Sequence, residues 1–72
     1  MVVEYDLPED KLDAAREITP GIESPTVSPL NKEGWVAVKA MARRSRGNEI
    51  MDDLHDLGAR GIIITTIRTC RI

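Results

Sequence analysis

The sequence predicts an α+β fold of the ferredoxin-like type: βαββαβ, a four-stranded antiparallel sheet with two helices on one face. Three observations predict it. Segments 2–7 and 35–42 alternate their side chains at period two, two later-starting segments carry apolar stripes at helical spacing, and turn residues separate the pieces. In this topology strands one and three lie in the middle and strand two falls on an edge.

Residues 2–7, VVEYDL, form the first strand, with Val3, Tyr5 and Leu7 on one face and Val2, Glu4 and Asp6 on the other. Pro8 suits the first turn of a helix, and Glu9 and Asp10 complement the positive end of its dipole. Leu12, Ala15 and Ile18, with Ala14 beside them, make the apolar stripe, and Pro20 stops the helix after Thr19. Pro20-Gly21 signals a turn, and the polar segment 24–30 follows as the second strand. NKEG, 31–34, closes a hairpin onto a third strand running from Trp35 to about Ala42. ARRSRGN, 42–48, is a basic turn in which Asn48 caps a second helix. Ile50, Met51, Leu54 and Leu57 give that helix its stripe, and Gly58 ends it. The last strand runs from about Arg60 to Arg71.

A chain of 72 residues makes one domain with a thin core, burying roughly 60% of the surface its unfolded form exposes. Both helices use one sheet face, so Val2, Ala37, Met41 and one or more of Ile62, Ile63 and Ile64 remain for the other. A second copy of the domain, or the rest of a larger enzyme, is expected to cover them. The net charge of −2 argues against a protein built mainly to neutralise phosphates. Cys70 is the single cysteine, which excludes an internal disulfide and fits a reducing cytoplasm. The purely apolar runs, such as Ile62 to Ile64, are short, so no membrane span is expected, and Glu4 and Asp6 argue against a signal peptide.

No catalytic apparatus is legible. His55 is the only imidazole and reads as a solvated residue on helix two; its neighbours Asp52 and Asp56 have helical spacing, which acidic helix faces commonly show. Cys70 reads as a small filler rather than a reactive thiol. Arg43, Arg44 and Arg46 suit an anion, yet RNA-binding modules of this fold stack bases on strand aromatics, and this chain has no Phe.

The second strand is the unusual element. Proline is a poor strand residue, and the hydroxyls Ser24, Thr26 and Ser28 either keep an edge strand polar or form a site. If Asp6, at the end of strand one, comes near Ser24 and Thr26, a carboxylate and two hydroxyls surround a pocket suited to a zwitterion such as an amino acid.

ESPTVSPL at 23–30 and GWVAVKAM at 34–41, followed by IMDDLHDLGARGI and TIRTCRI, resemble the C-terminal regulatory domain of long-form ATP phosphoribosyltransferase. The resemblance covers essentially the whole chain. It implies an enzyme that joins ATP to phosphoribosyl pyrophosphate with magnesium in the first step of histidine biosynthesis, with its catalytic site in two preceding domains that this chain lacks. It further implies that this domain carries no cofactor and senses L-histidine for feedback inhibition, in a pocket where copies of the domain meet. Carried onto this chain, Asp6 receives a charged nitrogen of the ligand, Ser24 and Thr26 its polar groups, and Ile22, Met41 and Gly61 form walls and backbone contacts. Two other readings compete: an oligomerisation module with no amino-acid ligand, and an RNA-binding module using Arg43, Arg44 and Arg46.

Overall fold

The computed structural model describes residues 1–68 and 71. Alternation in β1 (Val2–Pro8) and β3 (Trp35–Met41) builds the centre of the sheet. Their register is unbroken, from Val2 opposite Met41 to Pro8 opposite Trp35. The edges are β2 (Thr26–Pro29) against β3 and β4 (Arg60–Thr65) against β1. The order is β2-β3-β1-β4, all antiparallel.

The inward side chains of the central strands, Val3, Tyr5, Leu7, Val36 and Val38, pack against Ala15 of α1 (Leu12–Ile18) and Ile50 and Leu54 of α2 (Gly47–Leu57). Leu7 and Leu54 are completely buried, each contributing about 1.5–3 kcal/mol by removal from water. A seven-residue helix such as α1 owes its stability to this packing rather than to helix propensity. Ile62 and Ile64 lean on the same core, whereas Ile63 points to the open face of the sheet and is 57% exposed.

Several boundaries differ from the sequence reading. Pro8 does not open the first helix; with φ −58° and ψ 136° it closes β1, and the Glu9 amide donates to the Gly34 carbonyl at 2.8 Å. One 3-10 turn, Glu9–Lys11, then leads into α1, and Ala14 is exposed. Thr19, which the sequence marks only as a helix boundary, is fully buried. Its hydroxyl donates to the Ala15 carbonyl (3.2 Å) and shares a 2.7 Å hydrogen bond with the Tyr5 hydroxyl.

The second strand begins at Thr26 rather than residue 24, because Gly21, at φ +73°, and Pro25 hold the preceding loop away from the ladder. Asn48 is no cap: a 3-10 turn, Arg44–Arg46, feeds directly into α2, which starts at Gly47. Gly58 ends α2 as expected, with φ +107°. The last strand stops at Thr65, whose partner Val2 is the first residue of β1, so the ladder has no further β1 partner. Cys70 lies outside the described residues.

Candidate functional site

Directly opposed residues of antiparallel strands point to the same side, so register alone arranges the face left open by the helices. One row crosses the sheet as Thr26, Lys39, Glu4 and Ile63; the next runs Ser28, Ala37 and Asp6. Tyr5, Val38 and their neighbours carry the core on the reverse side.

Beyond Glu4 the register between β1 and β4 shifts by one residue. Glu4 faces Ile63, but Asp6 faces Arg60, which leaves Gly61 and Ile62 together opposite Tyr5. Bulges of this kind use a glycine in the left-handed region, and Gly61 has φ +60°. A Cβ on Gly61 would stand 3.9 Å from Asp6 Oδ2. The bulge thereby brings bare backbone up to the Asp6 carboxylate.

Asp6, Gly61 and Thr26 line one depression of about 370 Å³, together with Ser28, Glu4 and Lys39. Ile22, Ser24 and Met41 line a second of about 490 Å³, together with Val2. Thr26 and Lys39 belong to both, so the two depressions adjoin. The six residues singled out in the sequence thus fall on one continuous stretch of the open face. Asp6 and Thr26 line the same depression, Asp6 in the row of Ser28 and Thr26 in the next row, whereas Ser24 sits in the neighbouring depression, its hydroxyl donating to the Pro25 carbonyl at 3.4 Å.

Lys39 and Glu4 escaped the sequence reading, which treated them as ordinary alternating positions. The signal that finds them is register, once Thr26 is set opposite Lys39 and Lys39 opposite Glu4.

The other candidate groups lie elsewhere. His55 Nδ1 is 3.9 Å from Asp56 Oδ1 with both side chains exposed, and no group of three or more metal-ligating side chains occurs among the described residues. Arg46 pairs with Glu49 at 3.3 Å on the surface of α2, a contact of small energetic value. Among the described residues no helix is long and apolar enough to cross a membrane.

Residues 1–69 match the model of the family described as HisG, C-terminal domain. The chain belongs to this family. Two similar relatives carry the name ATP phosphoribosyltransferase: one from Salinibacter ruber is 72% identical over 72 residues, and one from Nocardia farcinica is 58% identical over 71. These matches cover 100% and 99% of this chain but 25% of either relative, so the chain spans about a quarter of their length. A third, from Salinispora tropica, is 53% identical over 72 residues, covering 100% of this chain and 26% of the relative. In this HisG C-terminal domain the open sheet face displays the carboxylates of Glu4 and Asp6, the hydroxyls of Thr26 and Ser28, the amine of Lys39 and the bare backbone of Gly61.

Proposed function

We propose that this chain is the regulatory domain of an ATP phosphoribosyltransferase, the transferase that joins ATP to phosphoribosyl pyrophosphate in the first step of histidine biosynthesis, and that it binds L-histidine for feedback inhibition. The observation that carries this reading is the convergence of Asp6, Gly61 and Thr26 on one depression, continuous with the groove of Ile22, Ser24 and Met41. A carboxylate beside unencumbered backbone suits a cationic nitrogen of the ligand, and hydroxyls serve either polarity. Catalysis, with its magnesium, belongs to the partner domains of the whole enzyme, and the domain works in the cytoplasm.

The site is shared between copies of the domain. Ile22 is 53% exposed and Ile63 57%, apolar side chains at the site that a neighbouring copy would remove from water. Binding in a domain other than the catalytic ones inhibits by preferring one quaternary state, with coupling typically about 1–3 kcal/mol.

Asp6→Ala tests the reading. Asp6 is outside the core, so the variant folds, and L-histidine binding is expected to disappear. Unchanged L-histidine affinity in a folded Asp6→Ala chain refutes the assignment.

A further inference from the structure

We infer that Lys39 is the specificity-determining residue for the ligand's carboxylate, pairing with it while Asp6 holds the cationic end; this rests on the amino-acid-binding reading above. Three observations carry it.

The first is position. Lys39 is in the row between Thr26 and Glu4, and its side chain borders both depressions. Asp6 lies one same-face step along the neighbouring strand, because its own β3 partner is Ala37. Diagonal neighbours of this kind are about 7–8 Å apart at the backbone, within reach of a long side chain. A small zwitterion can therefore touch both groups at once.

The second is charge. The two depressions expose the carboxylates of Glu4, Asp6 and Glu23, and Lys39 is the single cationic side chain among their lining residues. A ligand carboxylate entering this acidic surface is favoured by a cation; among the lining residues Lys39 supplies it, while Arg60, opposite Asp6, lies outside both depressions and donates to the Ala59 carbonyl.

The third is availability. Glu4 stands directly opposite Lys39, yet the ion pairs among the described residues are Arg16 with Asp13, Arg46 with Glu49 and His55 with Asp56. Lys39 is exposed and commits its ammonium to none of them. A compact, strongly hydrated ammonium on a flexible stem adapts to a carboxylate as a point charge.

Calorimetric titration of wild type, Lys39→Met and Lys39→Arg with L-histidine and with histamine, which keeps the imidazole and ammonium but lacks the carboxylate, tests the assignment. Melting temperatures serve as the fold control. Lys39→Met is expected to melt like wild type, to lose at least about tenfold in L-histidine affinity and to bind histamine within about twofold of wild type; Lys39→Arg is expected to retain L-histidine binding. L-histidine bound by Lys39→Met within about twofold of wild type overturns the role of Lys39 while leaving the amino-acid-binding reading intact. Wild type that binds no L-histidine overturns that reading, and this one with it.

Discussion

Gly61 and Asp6 meet across the bulge that joins β4 to β1: a Cβ on Gly61 would come to rest 3.9 Å from Asp6 Oδ2. That spacing is ordinary van der Waals contact, so a methyl group fits in space. Conformation is the obstacle, because Gly61 sits at φ +60°. Gly61→Ala is expected to cost about 1–2 kcal/mol in urea unfolding, the penalty of the left-handed region for a residue with a Cβ. Equal stability of variant and wild type would mean that the bulge does not depend on the glycine.

Gly21 presents a tighter case. Its φ is +73°, and a Cβ there would stand 3.1 Å from the Ser24 carbonyl carbon and oxygen and 3.3 Å from the Pro25 nitrogen. These are backbone atoms that cannot swing aside, so the loop carrying Ile22 and Ser24 must shift. We expect Gly21→Ala to remain folded and to weaken L-histidine about tenfold. Titration of the variant decides; an unaltered affinity would separate the loop from the site.

Much of the fold was legible because its centre obeys simple periodicities. Val3, Tyr5 and Leu7 alternate with Val2, Glu4 and Asp6, and the structure buries the first set and leaves the second on the open face. Boundaries were less legible where one residue suits two geometries. Pro8 fits the first turn of a helix and equally the end of a strand, and what decides is a backbone hydrogen bond to Gly34, a residue far along the chain. The site was half legible for the same reason. Residue types singled out Asp6 and Thr26, but their sharing of a depression with Lys39, and the separation of Ser24 into the next, follow from register and from the Gly21 turn. Thr19 is a further instance: polar and beside a proline, it reads as a helix boundary, and only its Tyr5 partner explains its complete burial.

That Tyr5–Thr19 pair makes a prediction about pH. Burial raises the Tyr5 phenol above its ordinary value of 10.0, while the hydrogen bond with Thr19 pulls the other way. The fold therefore favours the neutral phenol. Its contribution is complete below pH 10.0 and is lost as the pH rises from there through the raised folded value. Tyr5→Phe is expected to cost about 1 kcal/mol at neutral pH through the lost hydrogen bond. Its melting temperature should fall less steeply than that of wild type in the alkaline range. Parallel alkaline slopes for the two proteins would contradict this account.

The central claim is that the open sheet face recognises L-histidine, and calorimetric titration of the chain with L-histidine, beside a second amino acid and with oligomer size recorded, tests it most directly. The account predicts saturable binding selective for L-histidine. A folded chain that gives no saturable heat with L-histidine, or binds both amino acids alike, would contradict it.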